Sequence, residues 1–253
     1  MRRGFWIALL LLGAGAAGGA AKTTESDIVA HEWGTFLAVQ GSDGVTLDGM
    51  YHEEHALPPF VHSRSRDQLA LPTVILKGET PVIYFYTKSA QRVQVGVRFP
   101  RGIWTQWYPQ AAVVAPGLAQ TSSPLEPRSG RILWCADLIP AGNGPAPSLP
   151  ATSKDALWNY ARQVDAAYVR TRNPLTGSQE YERYLFYRGL GQAPLPLTMT
   201  AERGGTLRTA AAAPPLRHLF VLRVENGRGA YRYLTDLPAG MQKESVLPSL
   251  EGA

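Results

Sequence analysis

A mainly β fold, built as an antiparallel sandwich with long Pro/Gly loops and at most one or two short helices, is predicted by three features of this 253-residue chain. Short runs rich in β-branched and aromatic residues recur along it. Several of them alternate apolar and polar positions with a period of two. Segments rich in Pro, Gly, Ser and Ala separate them, and only one stretch carries a helical period.

The chain opens with "MRRGFWIALLLLGAGAAGGAAK", in which Arg2 and Arg3 precede an apolar run from Phe5 to Leu12 and then small residues. That order predicts a secretory signal peptide over residues 1–21, cleaved near Ala21. The apolar run is shorter than the roughly 20 residues a spanning helix needs, so no stable membrane span is expected after cleavage. Arg2-Arg3 fits both a general secretory signal and a twin-arginine one. The expected address is periplasmic or extracellular.

The strands follow in order. "TPVIYFYT", ending at Thr87, is apolar on both faces and predicts a central strand. In "QRVQVGVRFP", Val93, Val95, Val97 and Phe99 share one face, so the strand is half-buried. "GIWTQWYP", "GRILWCADL", "ERYLFYRGL" and "LPLTMTAE" are further strand candidates. "LRHLFVLRVENGRGAYRYLTDL" predicts a hairpin turning at Asn226-Gly227, a pair that tolerates the positive φ of a tight turn. The helical candidate is "SKDALWNYARQVDAAYVRTR", capped by Ser153 with Asp155 in its first turn; its far end could equally be a strand. No internal repeat is visible, and the mature chain is taken as one β-rich domain over residues 22–253.

With 45% hydrophobic and 18% charged residues the chain can bury a sizeable core. Its net charge of +5 falls to +3 once Arg2 and Arg3 leave, and no Lys/Arg run interleaves with aromatics, so nucleic acid is not an expected partner. Cys135 is the sole cysteine, which excludes an internal disulfide; its strand setting predicts a buried, inert thiol. A Gly-x-Ser-x-Gly elbow is absent from the sequence, and "RGLGQ" leads into "APLPL" rather than into a helix, so neither a serine hydrolase nor a dinucleotide loop is anchored.

Residues 28–66 hold His31, His52, His55 and His62 together with Glu32, Asp43, Asp48, Glu53 and Glu54. The histidines of "HEEH" are three apart, not the four a zinc-protease helix requires, and Pro58-Pro59 would stop a helix. His31, His52 and Glu54 are nevertheless candidate metal ligands, for zinc or another divalent ion, with Glu32 and Glu53 as candidate catalytic carboxylates. "GSDGVTLDG" lacks the acid spacing of a calcium loop and reads as a turn between two short strands. In "GIWTQWYP", period-two counting puts Trp104 and Tyr108 on one face, a possible stacking platform for a sugar ring, against the alternative of core aromatics.

The strings "HEWGTF", "GSDG…HEEHALPPFVH", "KGETPVIYFYT", "WYP" and "YLFYRGLG" together resemble a group of exported bacterial proteins with no assigned activity. The resemblance spans roughly residues 27–235 and implies a shared fold and address. It favours His31, Glu32, His52 and Glu53 over His55 and His62, and it implies that the fold extends beyond the C-terminus of this chain. The functional expectation is a non-catalytic envelope protein that binds a ligand or a protein partner; the rival is a metal-dependent hydrolase using the cluster at 31–55.

Overall fold

The computed structural model describes residues 8–10, 27–48, 56–65, 74, 76–117, 129–142, 144–212 and 215–250. Their strands pair antiparallel throughout, as the alternating patterns require, and the fold is mainly β and sandwich-like. Contacts gather the chain into two compact units, residues 1–37 with 50–192, and residues 38–49 with 193–253.

The first unit holds two sheets. One runs β1 (Ala8–Leu10), β7 (Gln91–Phe99), β10 (Gly130–Ile139), β11 (Tyr168–Arg172), β12 (Gln179–Glu182), with β9 (Val113–Ala115) also paired to β10. β1 lies within the segment expected to be removed on export. The other runs β2 (Val29–Leu37), β6 (Leu76–Tyr86), β13 (Leu185–Gly191), β8 (Gly102–Tyr108), β5 (His62–Ser63). Val93, Val95, Val97 and Phe99 are all buried, as their period predicts, and so are Ile132, Trp134, Ala136 and Leu138 of β10. Across the core Trp134 meets Tyr187 and Phe99 meets Trp104, with ring centroids 6.1 and 5.4 Å apart. In β6, Val82, Ile83, Tyr84 and Phe85 are buried on both faces, as expected of a strand covered on both sides.

The outer face of the second sheet is covered by the loop that carries α1 (Trp158–Ala161). Here Trp158 packs with Phe60, Tyr108, Tyr184 and Phe186. The helix is one turn, far shorter than the predicted one, and begins after Leu157 without a side-chain cap, so Ser153 does not cap it. The reason is tertiary: Tyr168–Arg172 pairs with β10, and the Ala167 N–H donates to the Phe85 carbonyl at 2.7 Å. Strand pairing at that end overrides the helical pattern.

Close backbone approach explains one glycine pair. A Cβ on Gly191 would lie 2.4 Å from the Gly102 Cα, so β13 and β8 can meet there only without side chains.

The second unit holds β3 (Val39–Gln40) paired with β4 (Thr46–Leu47), which makes "GSDGVTLDG" the turn region read from its sequence. A three-stranded sheet runs β14 (Leu197–Ala201), β15 (Thr206–Ala211), β18 (Gln242–Val246). The hairpin β16 (Leu216–Glu225) and β17 (Arg228–Leu237) turns at Asn226 and Gly227, whose φ values of 51° and 73° give the tight turn that the Asn-Gly pair predicts. A small core joins Leu207 to Val221 and Leu234 of the hairpin, flanked by Leu219 and Leu247.

Candidate functional site

His31 and Glu32 lie side by side on β2, where successive side chains point to opposite faces. His31 pairs with Tyr84 and sets its ring edge-on to Tyr86, at 5.3 Å. Glu32 pairs with Ile83 and points toward the sandwich interior, where its carboxylate accepts the Tyr187 hydroxyl. Although the residue is exposed as a whole, burial at its carboxylate end pushes the Glu32 pKa up. The two candidates therefore cannot serve one metal from the same side of the strand. His52, Glu53, Glu54 and His55 lie outside the described residues. Among the described residues there is no group of three His, Cys, Asp or Glu side chains able to hold a metal. A cleft of about 440 Å³ beside β2 is lined by Asp27, Val29, Tyr86, Lys88 and Asp165, among others; Lys88 and Asp27 stand 3.8 Å apart and both are strongly exposed.

The structure instead gives His62 a partner. Its Nε2 lies 3.0 Å from both carboxylate oxygens of Glu180, and Glu180 Oε2 also accepts the Gln110 N–H at 2.7 Å. The imidazole stacks beside Trp107 and Tyr108. β5 and β12 stand at the ends of different sheets, so this half-buried pair clasps the sandwich. Two residues along β12, Glu182 has no exposed surface. Arg162 Nη2 donates to its Oε2 at 2.7 Å and Nε to its Oε1 at 3.0 Å, while the Trp158 indole N–H donates to Oε2 at 2.9 Å. The Arg183 N–H completes the set at 2.9 Å from Oε1. With both oxygens engaged by donors, this carboxylate orders the chain rather than presenting itself to a ligand. Burial, helped by Glu180 for Tyr108 and by Glu182 for Tyr184, pushes both phenols above their usual range. Neither tyrosine is therefore poised as a base near neutral pH.

Two expectations are corrected by the packing. Trp104 and Tyr108 do not share a face as the period of two counts them: both are buried, as the core-aromatic alternative has it, but they pack on opposite sides of the strand. Arg188 pairs with Gln106 and Gly189 with Trp104, leaving Thr105 as the extra residue of a bulge that shifts the period of two. Trp104 thus meets Tyr187 inside the sandwich, while Tyr108 joins Trp158 on the other side. Cys135 is exposed rather than buried, because in β10 the even-numbered positions from Ile132 to Leu138 take the core.

Among the described residues, a run of exposed apolar side chains on regular structure lies in the hairpin. Phe220 pairs with Tyr233 and Leu222 with Tyr231, and Val224 follows on the same face. All five side chains are 46–71% exposed. On the opposite face lie Val221 and Leu234, both buried, with Arg232 across from Val221 and Arg223 nearer the turn. His218 stacks on Tyr233 and bonds its hydroxyl through Nδ1 at 3.0 Å.

No protein-family model, curated protein or solved structure matches this chain. Sequence reasoning missed the His62–Glu180 clasp because 118 residues separate its members and no spacing rule joins them. It missed the hairpin face for another reason. Leu219, Val221 and Leu234 are as apolar as Phe220, Leu222 and Val224, so the sequence does not say which set is covered.

Proposed function

We propose that this protein is an exported, non-catalytic binding protein of the cell envelope that engages its partner through the outer face of the β16–β17 hairpin. The address rests on the charged, apolar and small-residue order of residues 1–21. The binding role rests on a single observation: five large apolar side chains stand exposed together on one face of regular structure. Contiguous apolar surface of this kind marks an interaction site, since leaving it wet forfeits the free energy of covering it.

Hydroxyl-radical footprinting of Phe220, Tyr231 and Tyr233 tests the reading. The three rings are expected to be protected in intact cells and reactive in dilute purified protein. Equal reactivity in both settings would remove the basis for a binding face. Mass spectrometry of the same exported material should find the N-terminus within a few residues of Lys22, and an intact Met1 would overturn the proposed processing.

A further inference from the structure

The hairpin face carries a more specific inference, which rests on the binding role proposed above. We infer that its occupant is a second copy of this chain, docked hairpin to hairpin about a two-fold axis.

Three features of the face select that occupant. The first is charge. Phe220, Leu222, Val224, Tyr231 and Tyr233 carry none, whereas Arg223 and Arg232 lie on the opposite face of the ribbon. Arg223 is itself held by Glu225 at 2.6 Å. What cationic character the ribbon has lies on the side away from the apolar rows, where an anionic polymer or lipid headgroup would be met. The apolar side is left for an uncharged sheet surface, and a like copy brings no repulsion to it.

The second feature is the division of the face into two unlike rows. β16 contributes Phe220, Leu222 and Val224; β17 contributes Tyr231 and Tyr233. A two-fold axis running along the ribbon, between two stacked faces, lays β16 of each copy over β17 of the other. The largely aliphatic row then meets the tyrosine row twice, and the same patch serves both sides, as an isologous contact requires. Stacked sheets sit about 10 Å apart, a gap that large apolar side chains fill.

The third is area. A Phe or Tyr side chain buries about 150–250 Å², so three rings at these exposures, with Leu222 and Val224, offer roughly 500 Å² per copy. Two copies bury roughly 1,000 Å², the lower limit for a specific interface. The dimer is therefore a weak one that forms with concentration. The hairpin also needs covering for its own sake. A two-stranded ribbon is marginal alone, and the small core under Val221 and Leu234 supports only its base.

Sedimentation velocity of the purified exported protein, from about 1 to about 100 μM, spans the dissociation constants expected for so small an interface. The expected result is a concentration-dependent doubling of mass. Tyr231→Glu should weaken association at least tenfold while leaving the circular dichroism spectrum and Tm unchanged, because the ring is exposed in the single chain. Leu222→Ser should do the same if the first variant folds poorly. Arg232→Glu, on the opposite face, should associate like the parent. A parent that stays monomeric across the range overturns the dimer, as does a Tyr231→Glu variant that dimerises normally, or a monomer that instead sediments with anionic lipid vesicles. Protection of the rings in cells combined with a strictly monomeric purified chain would overturn the dimer alone and leave the binding role standing. Rings reactive everywhere would end both.

Discussion

Glu182 and Phe220 stand in opposite kinds of surroundings, one a carboxylate with no exposed surface and the other an aromatic ring more than half exposed. At this end of the first unit the buried charge is satisfied: Arg162, Trp158 and the Arg183 N–H converge on Glu182, and Glu180 holds His62. In the second, apolar side chains are left outward with only half of the ribbon supported. Buried polar groups that have found all their partners fix one arrangement of the chain and leave little chemistry to spare. The apolar side chains of the hairpin touch one another along the ribbon, as Phe220 does Tyr233, and keep their outer surface exposed. The contrast is between a sandwich end ordered by a satisfied buried carboxylate and a ribbon that keeps apolar side chains on its outer face.

The sharpest way to break this contrast is at Glu182. Replacing it with Leu strands the Arg162 guanidinium and is expected to cost about 3–5 kcal/mol of unfolding free energy in urea. Pairing Glu182→Leu with Arg162→Met should recover most of that loss. If the double variant is as unstable as the single, the ion pair is not what holds this end of the sandwich.

Neighbouring residues of β16 give a smaller test inside the hairpin. Val221→Ala removes two buried methyl groups and is expected to cost roughly 1.5 kcal/mol. Leu222→Ala, one position on, should change monomer stability by no more than about 0.5 kcal/mol at a concentration too low for association. Equal costs at the two positions would mean that the faces of the ribbon are wrongly assigned.

The smallest effect belongs to Glu32. Its pKa is raised by burial above the ordinary glutamate value of 4.5. A carboxyl of this kind adds stability that is fully present below its unfolded pKa and is lost as pH rises through the folded one. Glu32→Gln should accordingly match the parent in acid and become the more stable of the two as pH climbs above that range. Tm measured across pH reads the difference; a variant that falls below the parent at neutral pH would reverse the sign.

How far the fold was legible depended on whether parity survived along each strand. Val93 to Phe99 kept a clean period of two and their buried face followed from it, as did the turn at Asn226-Gly227. In β10 the same rule was available: Cys135 shares its face with Asp137, which pairs at the surface with Arg92 and Arg170, and that company marks the exposed side. In β8 parity failed, because the extra residue at Thr105 comes from pairing with β13 and leaves no local signature. The site was less legible still. The polar clasp joins distant strands, and the exposed hairpin face differs from the buried one only in what lies beneath it.

The inward carboxylate of Glu32 has a consequence for how the molecule tolerates neighbours. β2 is the end strand of its sheet, the position at which unpaired backbone groups invite another chain to add on. Its register against β6 slips between Trp33 and Thr35, beside Pro81, so the edge is not a flat template. An incoming strand would have to straighten that edge, and in doing so would pull the carboxylate from the Tyr187 hydroxyl that holds it against the interior. The same group that looked from sequence like part of a reactive centre is thus one of the contacts that keep this edge from being a flat template for another strand.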